Sequence, residues 1–373
     1  MSGTLVRGVC AVAVAGAVLA PGPAGAVPGP PDGEPSVAGL LAELRGLYRR
    51  AEEATEAYNA TAEELRERRA QAETLAGELA AARGSLYGSR MAAGRLAREQ
   101  YRGHSDLSPY LRLLLARDPQ HALDQGHVVL RAARNRMAAV DRLTGDEQKA
   151  DALATKARAA LDERMRLAAA QQRDRDAVRG RLAEVEELLA SLTPGQLAEL
   201  SRLEEAGTAV AQRAFMASGA LSSVGRAPSK AGGEAVAYAL RQIGKPYVWG
   251  AEGPESFDCS GLTSQAWAHA GRKIPRTSQQ QWASLPKVPM DRLRPGDLVV
   301  YFPKATHVAL YLGKGQVVQA PRPGARVKVS PIAANPVLGA VRPDPEAKAM
   351  TGYRPPPLPR GATAGDDTGN DDG

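Results

Sequence analysis

The 373-residue chain contains only two cysteines, and one of them, Cys10, lies in an N-terminal segment expected to be removed. With Cys259 as the single cysteine left, an intramolecular disulfide and a multi-cysteine metal centre are both excluded from the mature chain. No proline occurs between Pro35 and Pro109, so nothing there interrupts a long helix. Beyond the N-terminus no segment approaches the about 18 uninterrupted apolar residues of a membrane span. The histidines His104, His121 and His127 have no Cys or Glu at ligand spacing, and no phosphate-binding loop or nucleic-acid motif occurs. The formal charge of +7 suits an anionic partner. Without a nucleic-acid motif, and with an export signal, nucleic acid is the minor reading.

That signal is Arg7, an apolar run from Gly8 to Leu19, and the small-x-small site Ala24-Gly25-Ala26. The apolar core is too short to span a bilayer, so residues 1–26 read as a secretory signal peptide. Cys10 lies inside the apolar run rather than just after it, which argues against a lipid anchor. Residues 27–35 form a Pro- and Gly-rich lead-in.

From 36 to 216 the composition turns to Ala, Leu, Glu and Arg. Leu40, Leu44, Leu47, Ala51, Ala54, Tyr58, Thr61 and Leu65 recur in steps of four and three, then Ala72, Leu75, Leu79, Ala82 and Leu86. This is a coiled-coil period, broken at Arg68. A second long helix is expected from about Gln120 to Leu192, antiparallel to the first in a hairpin, and a third from Pro194 to about Met216. The leucines Leu111, Leu113, Leu114 and Leu115 are expected to cap the tip or meet a partner. Carboxylates alternating with arginines read as a solvated face. Residues 217–232 form a linker, 233–343 a compact domain, and 344–373 a disordered tail.

The chemistry is expected in the compact domain. Gly253, Pro254 and Glu255 read as a loop, and Leu262, Ala266 and Ala270 as a helix, so Cys259 falls at a helix N-terminus. The dipole and unpaired N–H groups there favour an anion and are expected to lower the thiol pKa. Three β-rich runs follow, Leu298–Phe302, Thr306–Gly313 and Gln316–Ala320, as adjacent antiparallel strands. His307 heads the second and Gln319 lies on the third, giving a nucleophile, a base and a third residue to orient the base. Trp249, Trp267 and Trp282 are expected to pack the core.

The stretch Asp258-Cys259-Ser260-Gly261-Leu262 is preceded by Gly244-Lys245-Pro246-Tyr247-Val248-Trp249-Gly250. After it come Pro275-Arg276-Thr277-Ser278, Pro295-Gly296-Asp297-Leu298 and His307-Val308-Ala309-Leu310-Tyr311. Together, in this order, they resemble the NlpC/p60 family of cell-wall cysteine peptidases over about residues 232–342. The resemblance implies an α+β papain-like domain, helices packed on an antiparallel sheet, behind the helical hairpin. It implies hydrolysis of amide bonds in peptidoglycan stem peptides, between D-glutamate and the diamino acid, with no cofactor and no metal. By the same likeness Cys259 is the nucleophile, His307 the base and Gln319 the orienting residue. Tyr247, Asp258, Ser260, Arg276 and Ser278 match positions shaping the substrate cleft. The family's third residue is commonly His, sometimes Glu or Asn. A glutamine carbonyl is expected to accept the Nδ1 hydrogen bond without adding charge. Two alternatives stay open: a Cys-His amidase, and a catalytically weak wall-binding scaffold. The protein is expected outside the cell, associated with the wall, without a stable membrane anchor. The helical half is expected to hold or target the domain, to cover its cleft, or to meet an envelope partner.

Overall fold

The computed structural model describes residues 36–102, 118–221 and 225–363. The expected signal segment 1–26 and lead-in 27–35, the Leu111–Leu115 patch, residues 222–224 of the expected linker and residues 364–373 lie outside them. Two long helices, α1 (Val37–Arg102) and α2 (Pro119–Ser191), run side by side. They are antiparallel, since Leu44 and Leu47 near the start of α1 pack on Val185 near the end of α2, while Ala82 meets Ala150 and Leu153. Helix α3 (Pro194–Ala217) begins with a reciprocal cap, Thr193 accepting from the Gln196 N–H and Gln196 from that of Thr193. Its Leu200 packs on Leu40 and Leu41 of α1. Among the described residues no helix is long and apolar enough to cross a membrane.

The C-terminal domain packs helices on an antiparallel sheet, the expected α+β arrangement. Helices α4 (Lys230–Leu240), α5 (Cys259–His269) and α6 (Ser278–Ser284) precede or join strands β1 (Lys287–Val288), β2 (Leu298–Tyr301), β3 (His307–Gly313), β4 (Gln316–Gln319), β5 (Lys328–Pro331) and β6 (Val337–Val341). The sheet has six strands in the order β1-β6-β2-β3-β4-β5, three more than the β-rich runs announce. Alternation along the strands divides the core: Leu298, Val308, Leu310 and Val318 face α4 and α5, while Val299, Ala309, Tyr311 and Val317 pack on the other side. Trp267 is buried on the first side, where its indole N–H donates to the Gly296 carbonyl at 3.1 Å and ties α5 to the turn before β2.

Two expectations give way here. The tail is not loose over 344–363. Arg294 pairs with the buried Asp344 at 2.9 Å, and the Val329 N–H donates to the Ala362 carbonyl at 2.7 Å, so this polar segment is held by backbone and charge rather than by apolar bulk. Nor is the α1 face wholly solvated. Beside the leucine stripe runs a second buried row, Tyr48, Glu52, Thr55, Glu56 and Asn59, offset around the helix and turned to the C-terminal domain.

Candidate active site

Asp258 caps α5, its Oδ1 accepting from the Gly261 N–H at 2.6 Å, so Cys259 is the first helical residue. Residue 261 has room only for hydrogen: a Cβ there would stand 2.2 Å from the Ala251 carbonyl oxygen. His307 opens β3, and Val308 beside it brings its N–H near enough to the Cys259 sulfur to favour the thiolate. The His307 ring packs 5.6 Å from that of Tyr301, its partner across β2 and β3.

Gln319 holds the ring from β4. Its Oε1 accepts from His307 Nε2 at 2.7 Å, while its own amide donates to Ser330 Oγ on β5 at 2.8 Å. The nitrogen engaged is Nε2, not the expected Nδ1. The register of β3, β4 and β5 brings Gln319 to the far side of the ring and leaves Nδ1 directed away from the sheet. There Nδ1 lies 3.1 Å from Glu52 Oε1 of α1, at ion-pair range rather than in an aligned hydrogen bond.

Arg276 donates to Asp258 Oδ1 at 3.0 Å and Oδ2 at 2.6 Å, to Ser260 Oγ at 2.8 Å, and to Glu252 at 2.9 Å. Burial works against its charge, yet Asp258 more than restores it and the guanidinium stays cationic. Tyr247 is buried close to Cys259, and desolvation pushes its phenol well above the ordinary value. All eight residues singled out from the sequence thus lie in one cluster.

Four further residues enter from α1; sequence reasoning had put Tyr58 on the coiled-coil stripe and passed over the other three. Besides Glu52, the Glu56 carboxyl meets the Ser278 N–H and Oγ, each at 2.7 Å, and Ser260 Oγ at 3.0 Å. Asn59 donates to Asp258 Oδ2 at 3.0 Å. Tyr58 stands edge-on to Trp249 with ring centres 4.9 Å apart. The only signal in the chain was spacing: 52, 56 and 59 fall on one helical face. Cavities of about 730 and 650 Å³ flank this crossing, one bounded by Gln319 and Arg322, the other by Glu252 and Arg276. Helix α3 adds a bidentate contact from Glu204 to Arg322, and Gln212 bonds to Gly315 and Ala333.

The crossing sets the electrostatics. Cys259 and His307 are 2% and 0% exposed. Burial, then the nearby charges of Glu56, Asp258 and Glu52, push the Cys259 thiol well above its ordinary pKa; the Val308 N–H pulls the other way. The lowering expected from the helix N-terminus is therefore overturned by water exclusion and three carboxyl groups. Burial also raises Glu56, with Asp258 adding to it, up to about 7. For His307 burial opposes the charge, but Glu52 and Gln319 outweigh it and the pKa rises. As arranged, the site holds a neutral thiol. With Glu52 withdrawn, Nδ1 is the ring atom left to take its proton, since Gln319 occupies Nε2. Among the described residues no cluster of His, Cys, Asp or Glu could hold a metal ion.

Comparison with known proteins defines the class. Residues 244–339 match the NlpC/P60 family, and the C-terminal domain is an NlpC/P60 domain. A Corynebacterium glutamicum protein named as a probable endopeptidase is 50% identical over 95 residues, covering 25% of this chain and 46% of that one. Peptidoglycan endopeptidase RipA of Mycolicibacterium smegmatis is 42% identical over 126 residues, covering 29% and 25%. The chain thus spans less than half the length of these curated relatives. Among solved structures, the NlpC/p60 domain of the peptidoglycan hydrolase SagA is 37% identical, with 30% of this chain and 97% of that one covered and a TM-score of 0.28. The non-catalytic, peptidoglycan-binding RipD of Mycobacterium tuberculosis is also 37% identical, with 31% and 98% covered and the same TM-score of 0.28.

Proposed function

We propose that this chain is an exported peptidoglycan endopeptidase that its own first helix holds latent. The observation that carries the reading is the His307 ring, fixed through Nε2 by Gln319 beside the capped helix start that bears Cys259. The names of the relatives support the substrate class, and the N-terminal pattern of residues 1–26 supports export. In the open state Cys259 passes its proton to His307 Nδ1, and the thiolate attacks the amide carbonyl between D-glutamate and the diamino acid. His307 then gives that proton to the leaving amine. Next it takes one from the water that hydrolyses the thioester, and the thiol is restored. Gln319 keeps the ring in place but adds no charge to stabilise imidazolium. Arg276 and Asp258, already paired, orient the peptide with Ser260, Ser278 and Tyr247.

Latency follows from geometry: a peptide cannot reach Cys259 while Glu52, Glu56 and Asn59 fill the cleft. The expected test outcome is that muropeptides incubated with a chain opened by replacing Glu52, Glu56 and Asn59 with Ala give fragments whose masses correspond to a cut after D-glutamate, while the same chain with Cys259→Ala gives none. A cut at the sugar–peptide amide would make the protein an amidase instead. Binding of wall material without any cut by the opened chain would make it a scaffold.

A further inference from the structure

The recess filled by Glu56 is built of Ser260, Ser278 and Asp258, with Arg276 behind them, and its charges are already matched. Arg276 is spent on Asp258 and Glu252, both of the domain itself. No cation among these groups is left for an incoming carboxylate, and Asp258 stands beside it. Hydrogen-bond direction agrees. Ser278 Oγ lies 2.7 Å from the Ala305 carbonyl as well as from Glu56, so its single proton has a second claimant. Ser260 Oγ already accepts from Arg276 at 2.8 Å and lies 3.3 Å from Asp258 Oδ1, which can take its proton. A carboxamide meets all of this. Its oxygen accepts the Ser278 N–H, and its NH₂ donates to Ser260 Oγ. A carboxylate instead puts an unmatched charge in a buried place.

From these contacts, and on the endopeptidase reading above, we infer that the recess is a specificity subsite for an uncharged group derived from a carboxyl. It would favour stem peptides whose glutamate α-carboxyl is amidated over those bearing the free acid. Spacing fits this. Glu52, at His307, and Glu56, in the recess, are one helical turn apart, about 5.4 Å. The path from a γ-glutamyl carbonyl carbon to its α-carboxyl carbon is four bonds, a reach of roughly 5 Å at about 1.5 Å per bond. Ser260, which bonds Glu56, directly follows Cys259 in α5, so a substrate with its scissile carbonyl at Cys259 has the reach to bring its α-group into the recess. The rise of Glu56 to about 7 is the same preference for a neutral occupant, seen on the built-in one.

Two measurements test this, each in the whole chain. In the first, Glu52, Glu56 and Asn59 are replaced by Ala, and two synthetic muropeptides differing only in an α-carboxylate or α-carboxamide at glutamate are digested at pH 7.5. The expected kcat/KM ratio favours the amide by at least about tenfold, the worth of one pKa unit. Equal rates, or a preference for the acid, overturn the subsite and leave the endopeptidase standing. Cleavage of neither overturns the endopeptidase reading, and the second measurement then decides the subsite alone. That measurement is iodoacetamide alkylation of Cys259, mapped by mass spectrometry, in Glu56→Gln and Glu56→Ala forms. Glu56→Gln is expected to keep Cys259 at least as protected as in the unaltered chain at pH 7.5, and Glu56→Ala to expose it. Exposure in Glu56→Gln equal to that in Glu56→Ala overturns the inference.

Discussion

Raising the pH is expected to loosen α1 from the cleft. Glu56 has a pKa of about 7 when docked, against 4.5 when free. A carboxyl raised on docking stabilises the docked state fully below the free value, and that contribution is lost as pH climbs through about 7. The difference of about 2.5 units is worth about 3 kcal/mol, a factor on the order of a few hundred in the docking equilibrium. His307 acts in the same sense. Its pKa is also raised in the docked state, so its pairing with Glu52 is lost as pH rises past the ordinary histidine range. The groups facing Glu56 are Asp258, Arg276, Ser260 and Ser278 from the domain and Asn59 from α1 itself, with His307 beyond them paired to Glu52. None supplies an unmatched positive charge to hold Glu56 ionised. Alkylation of Cys259 by iodoacetamide between pH 5 and 8.5 reads the opening. The thiolate fraction also rises with pH, and the Glu56→Gln form carries that change without the Glu56 titration. The ratio of the unaltered rate to the Glu56→Gln rate therefore isolates the effect. It is expected to climb by roughly two orders of magnitude across the range. A flat ratio would refute the reasoning, because it would mean that Glu56 docks with its charge intact.

Other outcomes follow from the same contacts. Cys259→Ala should abolish muropeptide turnover by an opened chain and cost only about 1 kcal/mol in denaturant unfolding, as a small buried truncation does. Residual turnover would place the nucleophile elsewhere. Gln319→Ala frees the His307 ring and leaves Ser330 without its donor; kcat should fall by up to about 100-fold with KM little changed. An unaltered kcat would reduce Gln319 to a polar strand residue. Arg294→Ala leaves the buried Asp344 carboxylate without its counter-ion, held by the Ser229 hydroxyl alone. That should cost about 3 kcal/mol and open residues 344–363 to limited proteolysis, and a tail as resistant as before would contradict the tether.

What the sequence disclosed was local. Asp258 to Gly261 and the Gly- and Pro-bounded runs around His307 and Gln319 carry their geometry in short spacings, so helix start, strands and cluster could be read directly. Strand β1 has only two residues, β5 ends on Pro331 and β6 carries Gly339 at its middle; pairing across the sheet, not periodicity, makes them strands. Which ring nitrogen Gln319 takes depends on the register of three strands, and no single segment encodes it. Glu52 and Glu56 sit among arginines as any solvated helix face would, and only the docking of a domain about 200 residues away buries them. The tail is likewise held through the carbonyl of Ala362 and the carboxylate of Asp344, groups that look the same in a disordered segment.

The rate at which a defined muropeptide is cut by a chain beginning at Arg226, compared with one beginning at Val27, tests the guarding of the cleft by α1 most directly. Starting at Arg226 removes α1 yet keeps Ser229, which caps α4 and bonds to Asp344. The shorter chain is expected to release the D-glutamate fragment at a rate at least tenfold higher, about 1.4 kcal/mol of relieved docking. Equal rates would show that α1 does not guard the cleft, and no fragment from either would show that Cys259 and His307 do not form a peptidase.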